Sequence, residues 1–387
     1  MTDIVALALA IPLTILNLIV LAEIIAGCLP ERSALPPLQT GVQIAMLIPA
    51  HNEELDIAAT VRTARQNAPD ARVIVIADNC TDGTELQALS AGAEVIIRSN
   101  LSAIGKGYAL AFGREHLAAT PPDYVVLLDA DTVPRPKAID YLVRAAVHHW
   151  AVVQGSYWLE ADAAASPRVK VSAAAFYLMN VIRLPGLDRL VKASVLTGSG
   201  IAAPWALFSR LPLATGHLAE DLMLGVWLLE NGMPPRFASQ AHIVGRASSD
   251  VGTRTQRDRW ESGRRQVASE AILPLLRTAL ATQSSKAAWI AVRLIVPPLS
   301  TLAAINIAVA IVWAATLAFA GVAWVHPIQP ITFGMLVVAV PISLMLHGRG
   351  DFARVLGHAG PYALWKFGLA VARRANPTVH WQRTDRN

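Results

Sequence analysis

Apolar and polar positions divide this chain into three regimes. The first is the near-continuous apolar run Ile4 to Ala22, interrupted by Pro12, Thr14 and Asn17. Its 19 residues approach the roughly 20 that cross a bilayer core. Only Asp3 supplies charge before it, so the basic leader of a cleaved signal peptide is missing and a retained membrane helix is expected. That helix is expected to end at Glu23, Pro30 and Arg32, ahead of a Pro-containing linker over 34–40.

From Val42 the pattern switches to short apolar runs separated by amphipathic ones. Strands are predicted at Val42–Ile48, Arg72–Ala77, Glu94–Arg98 and Tyr124–Leu128, with helices at Ile57–Gln66, Glu85–Ala91 and Tyr108–Leu117. Tyr124–Leu128 lacks polar alternation, as expected of a strand buried on both faces. Strand–helix alternation of this kind predicts an α/β fold with a mostly parallel sheet covered by helices. Beyond it come a helix at Lys137–Val147, a strand at Val152–Trp158 and an apolar helix Val169–Ile182, too short to span and placed on the membrane surface. A small-residue segment Leu196–Ala202, a helix Glu220–Glu230 and a charged helix Thr255–Arg265 follow.

The third regime restores the membrane pattern. Leu294 to Val325 carries no formal charge over 32 residues and reads as one tilted span entered at Pro297-Pro298. His326–Pro330 is a tight loop, Ile331–Leu346 a shorter span, and Phe352–Arg374 an interfacial helix. The expected organisation is a membrane helix in 1–30, a catalytic domain in 40–280, membrane helices in 285–347, and an interfacial helix with a basic tail in 351–387. About three spans put the middle domain and the basic tail on one side, which the positive-inside bias makes cytosolic.

Composition sharpens this picture. Hydrophobic residues make up 54% and charged residues 16%, too apolar for a purely soluble protein of this size. The net charge of +5, with Arg clustered at 254–265 and 373–386, suits an anionic lipid surface or a phosphorylated substrate. Basic residues are not interleaved with aromatics across a domain, so nucleic acid is not an expected partner. Cys28 and Cys80 form neither a disulfide framework nor a metal cluster.

Candidate chemistry lies at the ends of the predicted strands. Asp129-Ala130-Asp131 follows the buried strand, where open α/β sheets place their ligands. Two carboxylates at i and i+2 suit Mg²⁺ or Mn²⁺, which take one or two carboxylates together with substrate phosphates. Asp78 and Asp82 lie beyond the second strand, where a base or ribose could be bound. Lys106 between Gly105 and Gly107 suits an anion, and Glu220-Asp221 could supply a general base. Small residues at Gly198, Ser199 and Gly200 allow close backbone approach to a ligand. Gln256, Arg259 and Trp260 share one helix face, with Arg suited to phosphate and Trp to a sugar ring. Each also has a structural reading on its own: turn chemistry for the Asp residues, a helix start for Lys106 and Glu220-Asp221, a membrane-surface helix for the last group.

The succession IPAHNEE (Ile48–Glu54), ADNCTDGT (Ala77–Thr84), GKGYAL (Gly105–Leu110), LLDADTV (Leu127–Val133), AED (Ala219–Asp221) and QRDRW (Gln256–Trp260) resembles family 2 inverting glycosyltransferases. It is most similar to the membrane branch with D, DxD, ED and QxxRW motifs, which includes cellulose and hyaluronan synthases and ceramide glucosyltransferases. The resemblance implies a GT-A, Rossmann-like domain and a nucleoside diphosphate sugar donor, a UDP-sugar foremost. It implies Asp78 at the base, Asp129 and Asp131 at ribose and metal, and Asp221 as the base for the acceptor hydroxyl. Lys106 and Arg259 would bind the donor. Gln256, Trp260, Glu220, Gly198 and Ser199 would lie around the diphosphate and acceptor. Two departures stand out: Ala219 replaces a Ser or Thr, and Asn79 replaces a second Asp. The expectation is transfer of one sugar to a lipid-linked or glycolipid acceptor at a bacterial inner membrane, in surface polysaccharide or glycolipid synthesis. A processive polysaccharide synthase and an inactive binding subunit are the alternatives.

Overall fold

A computed structural model describes residues 2–31, 35–320, 328–358 and 360. Among them, eight strands form one sheet: β1 (Ile44–Ala50), β2 (Arg72–Asp78), β3 (Glu94–Arg98), β4 (Tyr124–Leu127), β5 (Thr132–Pro134), β6 (Val153–Glu160), β7 (Ile201–Pro204) and β8 (Arg236–Arg246). Their order is β3-β2-β1-β4-β7-β6-β8-β5. Strands β3, β2, β1 and β4 are parallel, as the alternating pattern predicts. Beyond β4 the sheet is mixed. Strand β7 is antiparallel to both neighbours, β6 and β8 are parallel, and β5 closes the edge antiparallel to β8. With only three or four residues each, β5 and β7 are too short to show a period. The chain therefore does not leave the sheet at Pro134. It re-enters at the edge, where a residue without N–H is tolerated.

Period-2 alternation shares each central strand between two cores. Met46, Ile48, Val73, Val75 and Val126 face one side, and Leu47, Ile74, Ile76, Val125 and Leu127 face the other. Helices Ile57–Asn67 and Ala138–His149 cover the first face, and Lys106–Leu117 covers the second. From β1 the chain moves outward to β2 and β3 and returns to β4 on the other side of β1. The carboxyl ends of β1 and β4 thus flank a topological switch point, which opens a crevice.

The N-terminal helix runs Thr2–Gly27, so Glu23 lies inside it and does not mark its end. Glu23 is fully buried, accepting hydrogen bonds from Arg183 Nε (2.8 Å) and Trp289 Nε1 (3.2 Å), and pairing with Arg293. The apolar helix expected on the membrane surface is instead packed inside. Helix Pro167–Tyr177 continues through a π-helical turn, Leu178–Arg183, into Leu184–Val191, and buries Val169, Ala173, Phe176 and Ile182. The charged helix extends far past its predicted end, over Asp250–Thr282.

The expected span Leu294–Val325 is entered through a break at Pro297-Pro298. Within it Leu299–Ala320 is one helix, and at its entry a 73° bend separates it from Ser285–Ile295, because Pro297-Pro298 removes two N–H donors and disfavours helix in the residue before. Positions 321–325 lie outside the described residues, as does most of the expected interfacial helix and basic tail. Among the described residues, two helices are long and apolar enough to cross a membrane, Ala10–Gly27 and Ile328–Leu346, and the bent pair makes up to three. They are joined by side-chain amides: Asn17 Nδ2 donates to Asn306 Oδ1 (2.8 Å) and Thr332 Oγ1 (3.2 Å), and Gln329 Nε2 donates to Asn306 Oδ1 (2.6 Å). Such bonds hold helices together where no water competes.

Candidate active site

Around the crevice, the ends of β1, β2 and β4, the Gly105–Gly107 turn and the N-terminus of helix Glu220–Glu230 converge on one cavity of about 1650 Å³. Lys106 stands at its centre. Its Nζ donates to Gly198 O (2.9 Å) and forms an ion pair with Asp129 Oδ1. The turn requires glycine beside it: a Cβ on Gly107 would lie 2.3 Å from Leu213 O and 2.7 Å from Thr215 O. Burial disfavours the ammonium, but Asp129, Glu220 and Asp221 outweigh that and hold the Lys106 pKa above its ordinary value.

Gly198 brings the carboxylates together. Its φ is +95°, and the position a Cβ would take is 3.5 Å from Asp221 Oδ2, 3.7 Å from Asp129 Oδ2 and 3.8 Å from Lys106 Nζ. Ser199 serves the scaffold: fully buried, it accepts from the Asp129 N–H (3.0 Å) and bonds Thr132 Oγ1 (2.8 Å). Gln154 braces the same loop, donating to Ser199 O (2.8 Å) and accepting from Thr197 N–H (2.8 Å). Glu220 and Asp221 open their helix side by side. Burial and the neighbouring Asp221 push Glu220 up to about 7. Burial likewise raises Asp221, against the pull of Lys106.

Asp78 is also buried. Its Oδ1 pairs with Arg98 Nη1 (2.6 Å) and accepts from Asn79 Nδ2 (3.1 Å), so Asn79 orients Asp78 without duplicating its charge. Asp131, Gln256, Arg259 and Trp260 all line the cavity. One face of Trp260 is taken, since Phe176 stacks on it at 5.1 Å between centroids. Ser199 and Gly200 lie behind the lining, and Asp82 accepts from the Thr84 N–H (3.0 Å) in turn chemistry; the other sequence-selected residues line this one space.

Several further residues there had no local signal. Tyr157 is buried, and burial with the charges of Asp129 and Asp221 drives its pKa far up, so the phenol keeps its proton. His217 Nδ1 accepts from the Ala219 N–H (3.0 Å), which puts the proton of the neutral ring on Nε2. That Nε2 is buried without a hydrogen-bond partner, 3.9 Å from Glu270 Oε2. Arg98, Gln154 and Tyr157 lie on strands or at their ends, where a polar residue in sequence does not reveal its neighbours across the sheet.

Asp129 and Asp131 supply oxygen donors, and no group of three or more His, Cys, Asp or Glu among the described residues could hold a metal. This donor set fits a Mg²⁺- or Mn²⁺-type site, which substrate phosphate and water complete.

The fold and this crevice define an α/β protein with a ligand cavity at the switch point of its sheet. The family model for glycosyltransferase like family 2 matches residues 42–267, more than half of the chain, and the chain belongs to that family. Glucosyl-3-phosphoglycerate synthase of Mycobacterium tuberculosis is 34% identical over 113 residues, covering 27% of this chain and 34% of that protein. The match thus spans about a third of the relative's length. A mannosyltransferase from Pyrobaculum calidifontis, solved in complex with GDP-Man and Mn²⁺, superposes with a TM-score of 0.55 at 16% identity, covering 95% of this chain and 99% of that one. A structure of the mycobacterial synthase with Mn²⁺, UDP-Glc and phosphoglyceric acid gives a TM-score of 0.38 at 25% identity, over 58% and 80% of the two chains. The fold of this chain is the mixed α/β, GT-A-like one.

Proposed function

We propose that this chain is an integral-membrane, inverting glycosyltransferase of the QxxRW branch that moves one sugar from a nucleoside diphosphate sugar, a UDP-sugar foremost, to a lipid-linked or glycolipid acceptor. The observation that carries this reading is the cavity itself. Its polar end holds Asp78, Lys106, Asp129 and Asp221, and its other end is lined by Leu302, Ile307, Phe333 and Val340 of the apolar helices. A water-soluble acceptor needs no apolar end; a lipid tail does. In this reading 40–280 is the catalytic domain, and 1–30 and 285–347 anchor it to the bacterial inner membrane with that domain on the cytosolic side.

The nucleobase is held at Asp78, whose Oδ1 Arg98 and Asn79 already occupy. Asp129 and Asp131 would hold Mg²⁺ or Mn²⁺, which when bound supplies Lewis-acid neutralisation of the leaving diphosphate. Arg259 stabilises the same developing charge, and Gln256, Trp260, Glu220 and the Gly198–Ser199 loop serve the diphosphate and acceptor. Asp221 takes the proton from the acceptor hydroxyl as that oxygen attacks the anomeric carbon, a single displacement that inverts configuration. Lys106 keeps Asp221 available for this by favouring its charged form.

The polar residues of the membrane helices argue against a processive synthase. Asn306, Gln329 and Thr332 are bonded to one another and to Asn17 and do not face the cavity, so they offer no track for a growing sugar chain. Detergent-purified protein given UDP- and GDP-sugars with a lipid extract should release nucleotide and add one sugar increment per acceptor by mass spectrometry. A ladder of increments would favour the synthase. No donor-dependent release with any sugar nucleotide would favour an inactive binding subunit.

A further inference from the structure

Charge is segregated along the cavity. The carboxylates of Asp78, Asp129, Asp131, Glu220 and Asp221 lie at its sheet end. Arg183, Arg264 and Arg293 line it where the wall changes to Val296, Pro297 and Leu299 of the bend. They come from three separate elements: the π-helical turn Leu178–Arg183, the helix Asp250–Thr282 and the helix Ser285–Ile295. Arg264 Nη1 donates to Leu294 O (3.0 Å), which places its guanidinium against the bend. Arg183 and Arg293 share the one carboxylate of Glu23, and Glu261 is the carboxylate that acts on Arg264. The three guanidinia thus crowd one stretch of a largely dehydrated wall, where Arg293 repels both Arg183 and Arg264.

That arrangement is costly unless a ligand completes it, because buried like charges lose their hydration without full compensation. Burial pulls Arg183 down to about 10, with Arg293 adding repulsion, and the same two causes lower Arg264. A neutral sugar or hydroxyl would not relieve this repulsion. A phosphate would, since each planar guanidinium can give it two parallel hydrogen bonds.

We propose that Arg183, Arg264 and Arg293 form a subsite for the phosphate of a phosphorylated lipid, so that the acceptor is a lipid phosphate with its tail in the apolar end of the cavity. This rests on the lipid-acceptor reading above and narrows it. The donor diphosphate belongs to the opposite end, beside Lys106 and the Asp129–Asp131 turn. The phosphate is held and is not itself glycosylated: a hydroxyl elsewhere on the lipid headgroup attacks the anomeric carbon, its proton passing to Asp221 as the bond to the donor diphosphate breaks.

The test is equilibrium binding to the full-length protein in phosphatidylcholine nanodiscs, which needs no turnover. The probes are farnesyl monophosphate, farnesol, inorganic phosphate and UDP with Mn²⁺. Farnesyl monophosphate should bind at least about 10-fold more tightly than farnesol or inorganic phosphate. Arg264→Gln and Arg293→Gln should each weaken it by about 10-fold, as for loss of hydrogen bonds to a charged group, with UDP affinity kept within about 2-fold. Arg264→Lys, which keeps charge and folding but loses the planar fork, should give a smaller loss, so the proposal remains open to refutation if Arg293→Gln does not fold. Equal binding of phosphate and alcohol, or variants that bind farnesyl monophosphate as the parent does, would overturn it. Inorganic phosphate binding as tightly as the lipid would show a free-anion site instead. UDP affinity falling in step would assign the cluster to the donor. Failure of the glycosyltransferase reading would look different: lipid phosphate bound through these arginines, with no nucleotide released from any donor.

Discussion

Replacing Glu23 with Gln tests how the N-terminal helix is fastened to the catalytic domain. Glu23 is fully buried, and its Oε2 accepts from Arg183 at 2.8 Å through Nε, lies 2.7 Å from Arg183 Nη2 and pairs with Arg293. Trp289 Nε1 donates to Oε1 at 3.2 Å. Glutamine keeps one carbonyl oxygen for part of this set but turns an NH₂ group toward donors, and two guanidinia are left to repel. Each hydrogen bond to a charged partner is worth about 1.5–3 kcal/mol, and breaking a buried ion pair from one side costs about 3–5 kcal/mol. Glu23→Gln should therefore destabilise by about 3–5 kcal/mol. The assay is thermal and denaturant unfolding of the detergent-solubilised protein, with Arg183→Met and the double variant completing a cycle. The double variant should lose less than the two single losses together, because it leaves fewer unpaired charges. A loss under about 1 kcal/mol for Glu23→Gln would mean that water or lipid headgroups already screen the pair, and would refute the reasoning.

Other consequences concern catalysis. Asp221→Asn keeps size but not basicity, so donor affinity should survive while transfer falls by about 100-fold or more, read from kcat against KM; near-normal turnover would remove Asp221 from the base role. Because burial raises Asp221 above the ordinary carboxylate range, and raises its neighbour Glu220 to about 7, the base becomes protonated at higher pH than an ordinary carboxylate as pH falls. The acid limb of kcat/KM should accordingly lie above the ordinary carboxylate value and move down in Glu220→Gln, which removes a neighbouring negative charge; a limb at about pH 4, the ordinary carboxylate value, would contradict this. Gly198→Ala forces a side chain to φ +95° and fills the space between Asp221 and Asp129. It should cost about 1–3 kcal/mol in stability and lower donor binding measured by titration, and a fully active, stable variant would show that the loop relaxes freely. Chelation should abolish transfer and Mn²⁺ or Mg²⁺ restore it, whereas full activity in metal-free buffer would exclude the Asp129–Asp131 metal role.

The sequence by itself determined what local pattern can carry. The parallel strands β1 to β4 were legible because burial on both faces leaves uninterrupted apolar runs, and helices between them carry their own period. Asp78, Lys106, Asp129, Asp131, Asp221 and the Gln256–Trp260 face were legible because motif order along the chain is local information. What tertiary structure alone decided is which distant residues share a space. Strands β5 and β7 are too short for a period and exist because neighbouring strands offer unpaired N–H and C=O groups. Glu23 looked like a helix end, since a carboxylate inside an apolar run makes sense only once Arg183, Arg293 and Trp289, far along the chain, surround it. Asn306 looked like an isolated polar residue until Asn17 and Gln329 met it across helices. The angle at Pro297-Pro298 is set by packing, which turns the expected span by 73° from the helix before it and lines the cavity with Leu294 and Leu302 from the two sides of the bend. Such partners are fixed by long-range packing in a low-dielectric interior, where an unpaired polar group is costly, and no spacing along the chain encodes which partner will arrive.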